Sequence, residues 1–330
     1  MRISLIVTVR NEEETIDELL DSMLRQTRKP DEVVINDCGC TDRTMEIVKR
    51  YEQRLPLRTT AGGTNIPQGR NTAIRAARGP LIACTDAGLW LESRWLEEIA
   101  APLEAGRADL VAGFFQADPR SPFEAVLGAV AYPTLAEVRP ERFLPAGQSM
   151  AFTRDAWEAV GGFPEDLPYC EDLVFARRIL AAGYRLAFAP RAVVRFRPRS
   201  SLGAFFQQYN RYAYGDGLAG LWPLRHLVRY GSYLTGLFLL GAGTQEPFLW
   251  ALLSLAAALY WRRYYFRLTS AWHQLSWSWR LLSLGLVPLI RCVGDVAKMV
   301  GYPRGVWERW RRRRAVDRAL PKPQRESMDR

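Results

Sequence analysis

Short apolar runs rich in β-branched residues, spaced by amphipathic segments, constrain this chain more than any other feature. Residues 3–9, Ile3-Ser4-Leu5-Ile6-Val7-Thr8-Val9, read as a buried strand that stops at Arg10-Asn11-Glu12. Residues 12–26 then place Ile16, Leu19, Leu20, Met23 and Leu24 on one helical face, with acids in the first turn. A second strand, Glu32-Val33-Val34-Ile35-Asn36, follows. Strand, helix and strand at this spacing make a βαβ unit with a parallel pair and a right-handed crossover. The pattern repeats through a helix over 42–51, a strand over 57–60, a glycine-opened loop leading to a helix over 72–78, and a strand over 81–85. The expected fold class is α/β, a Rossmann-like, mostly parallel sheet with helices on both faces.

In such a sheet ligands sit outside the carboxyl ends of the strands, where Asp37 and Asp86 both fall. Each acid has a plainer reading. Asp86 can cap a helix over 89–103, as Ser93 can, and Asp37 and Asp42 can serve turn and cap chemistry, the more natural role for Asp42.

Taken in order, Thr8-Val9-Arg10-Asn11-Glu12, then Val34 to Asp42, Gly69-Arg70-Asn71 and Thr85-Asp86-Ala87-Gly88 resemble the nucleotide-sugar half of a family 2 glycosyltransferase with the GT-A fold. The resemblance implies donor-binding roles for Thr8, Arg10, Glu12, Asp37, Arg70 and Asp86. Asp86 would also meet a divalent metal, Mg or Mn. The sequence departs from the family pattern at Gly88, where a second carboxylate is usual, and at Cys38 and Cys40, where glycine and serine are frequent. The cysteines beside the donor residues also raise a redox-sensitivity reading, against a simple one as small turn residues.

Further on, residues 109–114 read as a strand returning to the sheet, residues 119–145 as a loop-rich insertion, and Thr153 as the start of a short helix ending at Gly161-Gly162-Phe163-Pro164. Glu171-Asp172 then opens a helix running to residue 182. Acids at a helix N-terminus are comfortable on dipole grounds alone. The string Glu171, Asp172, Leu173, Phe175, Arg178 nevertheless resembles the family motif whose aspartate is the general base. A sugar hydroxyl needs such a group to take its proton during attack. Residues 184–189 and 192–196 are strand-like. Gln208-Tyr209-Asn210-Arg211-Tyr212 resembles the Gln-x-x-Arg-Trp motif of membrane-bound members, with tyrosine in place of tryptophan. That resemblance implies Arg211 as a catalytic cation at the diphosphate, with Gln208 and Tyr212 toward acceptor or diphosphate. Two histidines, His226 and His273, stand far from any candidate partner, which disfavours histidine chemistry.

Composition shifts after about residue 230, where Leu, Trp and Tyr gather between arginine clusters. The net charge of +10 is concentrated late, a pattern that suits anionic lipid headgroups rather than nucleic acid. Residues 230–261 read as one helix would run about 48 Å at ~1.5 Å per residue, so a break at Gln245-Glu246-Pro247 is expected, giving a tilted or re-entrant hairpin with transmembrane character. Residues 281–300 read as an interfacial amphipathic helix with a Leu282, Leu286, Leu289, Val293 stripe opposite Arg291, Asp295 and Lys298. The five cysteines are too scattered for a disulfide framework, which points to a reducing compartment, and residues 3–9 are too short for a signal-peptide core.

The organisation expected is therefore a GT-A domain over 1–200, an interface helix over 201–229, a membrane hairpin and amphipathic helix over 230–302, and a basic tail over 303–330. The function expected is inverting transfer from a UDP- or GDP-linked sugar to a lipid-linked or glycan acceptor, at the cytoplasmic face of the cell membrane. A non-catalytic nucleotide-binding membrane scaffold of the same fold is the alternative. A sugar nucleotidyltransferase would need a glycine-rich basic loop where Arg10-Asn11-Glu12 stands.

Overall fold

The structure, a computed structural model, describes residues 1–319 and divides into two compact units that meet in sequence at Pro198 and Arg199. The first unit is one eight-stranded mixed sheet. Its strands are β1 (Ile3–Val9), β2 (Glu32–Asp37), β3 (Leu57–Ala61), β4 (Leu81–Cys84), β5 (Leu89–Leu91), β6 (Leu110–Ala117), β7 (Met150–Thr153) and β8 (Leu186–Phe196). They are ordered β3-β2-β1-β4-β7-β6-β8-β5. The first four run parallel, as the repeat implies. β7 runs antiparallel between β4 and β6, and β5 antiparallel to β8.

β1, β2 and β4 are covered on both faces, and for that reason their centres are almost uninterrupted in apolar residues, whereas β3 lies at the sheet edge and is largely exposed. Leu5, Val7, Val33, Ile35 and Ala83 pack on one side with α1 (Ile16–Leu24) and α4 (Trp95–Glu104). Ile6, Val34, Ile82 and Cys84 pack on the other with α3 (Ile66–Ala76), α6 (Arg154–Ala159) and α7 (Glu171–Ala181). A further short helix, α2 (Thr44–Lys49), follows β2, and Asp42, just before its N-cap residue Arg43, accepts from the Thr44 amide at 3.0 Å and the Thr44 hydroxyl at 2.6 Å.

Several elements differ from expectation. The helix expected over 89–103 begins only at Trp95, because Leu89-Trp90-Leu91 pairs with β8 as an edge strand. The expected helix over 72–78 starts earlier, at Ile66, since the Asn65 side chain accepts from the Gln68 amide and Pro67 suits a first turn. Gly69-Arg70-Asn71 is thus helical rather than loop. The insertion over 119–145 contains α5 (Pro122–Ala131), capped by Ser121 and anchored by Glu124, which is buried yet accepts two bonds from Arg197. The two strands expected over 184–196 are one strand with a bulge, where the register jumps from Gly113↔Ala189 to Phe114↔Val193.

The second unit is helical: α8 (Leu202–Ala219), α9 (Pro223–Ala242), α10 (Phe248–Ala271) and α11 (Trp277–Ala319). The break expected near Gln245-Glu246-Pro247 separates α9 from α10. The transmembrane expectation is corrected: among the described residues no helix is long and apolar enough to cross a membrane. The charge-free part of each arm holds only about 20 Å of helix at ~1.5 Å per residue before Arg229 or Arg262 intervenes, against ~30 Å of hydrocarbon. The amphipathic helix over 281–300 is also corrected. It is part of α11, which continues through Pro303 into the arginine run, and its polar face points inward. Arg291 and Asp295 are buried and paired at 3.2 Å, while Leu282 and Leu289 are exposed. α11 lies unusually close to α8, since a Cβ on Gly301 or Gly305 would sit 2.2 Å and 2.0 Å from the Asn210 and Tyr214 carbonyl oxygens. Of the expected tail, Pro321-Lys322-Pro323 lies outside the described residues.

Candidate functional site

Register brings the first unit's candidate residues to one edge. Val9 pairs with Asp37, and Ile6 with Cys84, so Asp86, two residues further on, stands level with Thr8. β7 runs back beside β4, and the Thr85 hydroxyl donates to the Gln148 carbonyl at 3.0 Å, which draws Gly147 up to the same edge. α3 approaches from the other side. There Gly69 is required, because a Cβ would lie 2.5 Å from Cys38 Sγ and 2.8 Å from Thr8 Cγ2.

The centre of the arrangement is Arg70. Its guanidinium is buried, with Nη1 donating to Glu171 Oε1 at 2.6 Å and Nη2 to Asp86 Oδ1 at 2.5 Å. One side chain therefore ties the acid after β4 to the acid pair opening α7. Asp172, next in the chain, is fixed separately: Oδ2 accepts from the Gly147 amide at 2.8 Å and Oδ1 from the Leu173 amide at 2.8 Å. Burial and then the neighbouring Asp172 charge push the Glu171 carboxyl up to about 7, with Arg70 opposing. The two acids are adjacent in sequence and differ in setting. Glu171 is buried against the guanidinium, whereas Asp172 is partly exposed.

Sequence alone gives Gly147 and Asn71 no role at the site. Gly147 lies flat on Arg70, and a Cβ there would be 2.2 Å from Nη2. Asn71 uses its whole amide to hold the turn before α7. Its Oδ1 accepts from the Phe163 amide at 2.9 Å and Trp157 Nε1 at 3.1 Å, and its Nδ2 donates to the Phe163 carbonyl and Glu165, each at 2.9 Å. The adjacency of Gly69-Arg70-Asn71 carried the only signal; the partners lie some ninety residues away and could not be read.

The remaining first-unit candidates frame the groove. Asp37 Oδ1 accepts from the amides of Gly39 and Cys40 at 2.9 and 2.7 Å. Burial works against its charge, and those amides hold its carboxyl below the ordinary value. Glu12 accepts from the Thr15 hydroxyl at 2.8 Å and faces the Gly88 turn, where a Cβ would stand 3.7 Å from Oε2. Arg10 is exposed just past β1. Burial raises the thiols of Cys38 and Cys40, that of Cys40 to about 11, which lowers the thiolate fraction of each. Gln208, Arg211 and Tyr212 belong to α8 in the second unit, where Gln208 Nε2 donates to the Tyr212 hydroxyl at 2.9 Å and Arg211 is exposed.

Asp86 is the carboxylate that the family resemblance offers to a metal, and the described residues contain no cluster of three acidic, histidine or cysteine ligands. One of its oxygens is taken by Arg70. The set still fits a magnesium-like ion that keeps one protein carboxylate and draws its other ligands from phosphates and water. A separate cavity of about 340 Å³, lined by Arg2, Ser4, Glu32, Arg58 and Arg78, opens at the opposite, amino edge of the strands. Glu32 there is occupied by Ser4 and the Gly79 amide, so the cavity is a structural joint.

Comparison with known proteins agrees with this geometry. Residues 4–154 match the family model described as glycosyl transferase family 2, and residues 134–307, more than half of the chain, match glycosyl transferase family group 2. Validoxylamine A glucosyltransferase of Streptomyces hygroscopicus subsp. limoneus is 32% identical over 127 residues, 36% of this chain and 28% of its own. The uncharacterized glycosyltransferase EpsJ of Bacillus subtilis is 29% identical over 187 residues, 52% of this chain and 54% of its own. The chain thus spans about half or less of the length of these curated relatives. Among solved structures, a mannosyltransferase from Pyrobaculum calidifontis in complex with GDP-Man and Mn2+ is 22% identical, covers 93% of this chain and 87% of its own, and superposes with a TM-score of 0.56. That likeness speaks for a shared GT-A-like fold.

Proposed function

This chain belongs to the family 2 glycosyltransferases, and from that premise we propose that it moves a sugar from a nucleotide-diphosphate donor to a hydroxyl acceptor with inversion at the anomeric carbon. The observation that carries the proposal is the Arg70 bridge, which holds the donor-side acid Asp86 and the Glu171-Asp172 pair in one rigid frame.

In this reading Thr8, Arg10, Glu12 and Asp37 receive the nucleobase and Asp86 the ribose. The Asp172 carboxylate accepts the proton of the acceptor hydroxyl as its oxygen attacks the anomeric carbon from the face opposite the diphosphate. The bond from that carbon to the phosphate oxygen breaks, and its electron pair leaves with the nucleotide diphosphate. Glu171, held by Arg70, supports Asp172 as its neighbour at the start of α7. A divalent ion, held by Asp86 and the donor's own phosphates, would supply positive charge to the diphosphate. Arg211 is assigned to the same diphosphate, and Gln208 and Tyr212 to the acceptor, on their motif alone. The mannosyltransferase with GDP-Man and Mn2+ supports a nucleotide-sugar donor and a metal.

We place this activity at the cytoplasmic face of a membrane, acting on a lipid-linked or glycan acceptor, a reading supported by five free cysteines and the cationic, apolar second unit. Asp172→Asn tests the assignment. It should abolish sugar transfer while donor binding, read by calorimetry with UDP- and GDP-sugars, stays within about twofold. Full transfer by the variant refutes the role of Asp172.

A further inference from the structure

The second unit buries a cluster of charged side chains while leaving broad apolar faces exposed. At its centre Asp295 accepts hydrogen bonds from three helices: from Arg229 Nε at 3.1 Å and the Tyr233 hydroxyl at 3.4 Å on α9, from the Tyr260 hydroxyl of α10 at 2.6 Å, and from Arg291 Nη2 of α11 at 3.2 Å. Asp295 and Arg291 are buried. Outside, by contrast, Leu237 and Phe238 of α9 are 65% and 70% exposed and Leu281 of α11 is 53% exposed. A water-soluble helical unit does the opposite, putting leucine inside and charge outside. Polar bonds between helices and apolar exteriors are the arrangement suited to lipid.

α10 shows what covers this exterior. From Phe248 to Tyr260 only Leu249, Leu253 and Ala257 are partly covered, a single narrow stripe, and every other position is exposed. A rigid protein partner covers one side of such a helix, whereas hydrocarbon covers all of it. The charges agree. Gly236 faces Leu253, and Trp250 Nε1 donates to the Leu240 carbonyl at 3.1 Å, so α9 and α10 are antiparallel. Arg225 at the start of α9 and Arg262 and Arg263 late in α10 therefore stand exposed at one end of the hairpin. The other end, Thr244-Gln245-Glu246, is polar and exposed too. A polar tip excludes a hairpin that ends in the middle of a bilayer, and ~20 Å of apolar helix excludes one that crosses ~30 Å of hydrocarbon.

We infer that the second unit seats obliquely in a single leaflet of an anionic bilayer, with the Arg225, Arg262 and Arg263 end and the Thr244-Gln245-Glu246 tip both at headgroup level on the same side. The inference rests on the membrane-face reading above and adds the surface, the lipid charge and the depth. The protein is monotopic, held by apolar burial and by electrostatic attraction that together exceed either alone.

Flotation of the full chain with vesicles tests it. The chain should float with phosphatidylcholine–phosphatidylglycerol vesicles. Leu252→Glu with Leu255→Glu, both at exposed positions that spare the fold, should abolish flotation. Arg262→Gln with Arg263→Gln should lower partitioning about 30-fold on anionic vesicles, at roughly fivefold or more per lost cation, and leave neutral vesicles unaffected. For depth, Thr244→Cys is exposed to a membrane-impermeant maleimide added on the protein's side, and the tip peptide is read by mass spectrometry so that native cysteines do not interfere. Labelling without permeabilisation is the result expected. A tip protected until detergent is added overturns the single-leaflet seat while keeping the membrane reading. No flotation, with a stable dimer by light scattering that the Leu252→Glu, Leu255→Glu change dissociates, overturns both and makes a second copy the occupant. Nucleotide release from donor, measured in parallel without vesicles, keeps either failure distinct from failure of the transferase reading.

Discussion

Replacing Gly147 by alanine adds one methyl group at the joint on which the site turns. The new Cβ would lie 2.2 Å from Arg70 Nη2 and 2.6 Å from Cζ and Nη1, where an ordinary contact is about 3.5 Å, so the guanidinium must retreat by about 1 Å. An exposed arginine tip would swing aside at little cost. This one is 3% exposed and pinned at both nitrogens, by Asp86 and Glu171, so it moves only by loosening those bonds or by pushing the Gly147 amide off Asp172. The backbone of Gly147 is not left-handed, and the cost is therefore steric, about 1–3 kcal/mol for an overfilled site. Displacing a reacting group by ~1 Å costs about 10²-fold in rate. The Gly147→Ala enzyme should thus fold, melt a few degrees lower, and lose roughly 10²-fold in kcat for nucleotide release, with KM for the donor changed far less. Arg70→Lys supplies the cross-check, since a lysine in place of the fork removes the obstacle along with the bridge. If the methyl group acts through Arg70, adding Gly147→Ala to Arg70→Lys costs little more. Wild-type kcat in the single variant, or losses that simply multiply in the double, refute the reasoning.

Three further outcomes follow from the same geometry. Because Glu171 is pushed up from 4.5 to about 7, the folded protein holds a proton that the unfolded chain releases in that interval. The stability it contributes is complete below pH 4.5 and is lost as pH rises through 7, so Glu171→Gln should grow more stable relative to wild type across that window; denaturant midpoints falling in parallel refute this. Asn71→Ala strands the buried Phe163 amide and the Trp157 indole N–H, and should lower stability by about 2–4 kcal/mol in denaturant titrations. Thorough chelation should cut donor turnover at least tenfold with restoration by Mg or Mn, and undiminished turnover leaves Asp86 a ribose ligand only.

The parallel half of the sheet was legible because a strand buried on both faces must be apolar nearly throughout, and Ile3–Val9 and Leu81–Cys84 are. β5 was hidden because Leu89-Trp90-Leu91 is too short for periodicity to separate it from the helix it precedes. At the site, Asp37, Asp86 and Asp172 could be found by their place after strands or in a motif. Gly147 could not, since what makes it matter is an antiparallel strand sliding beside β4, a fact of topology. In the second unit the pattern of polar and apolar faces on α11 was correctly seen and its direction misjudged. Periodicity tells that Arg291 and Asp295 share a face; only packing tells that the face is inward.

The charge of the site bears on what it can bind. Three carboxylates, Asp86, Glu171 and Asp172, gather around one guanidinium, a surplus of negative charge before any donor arrives. A nucleotide diphosphate brings more, and Arg70 is already committed at both ends. Raising Glu171 toward neutrality relieves part of the surplus. On the proposed function, what remains beside Asp86 is offset by added cations, and Gly88 in place of a second acid gives a lighter grip on that metal. A carboxylate restored at that position would deepen the surplus. Gly88 is left-handed at φ +77°, so Gly88→Asp carries a backbone cost of about 1–2 kcal/mol in stability; the folded variant should nevertheless bind the activating metal more tightly, and tighter metal with no dependence of turnover on it would place the ion outside the reaction.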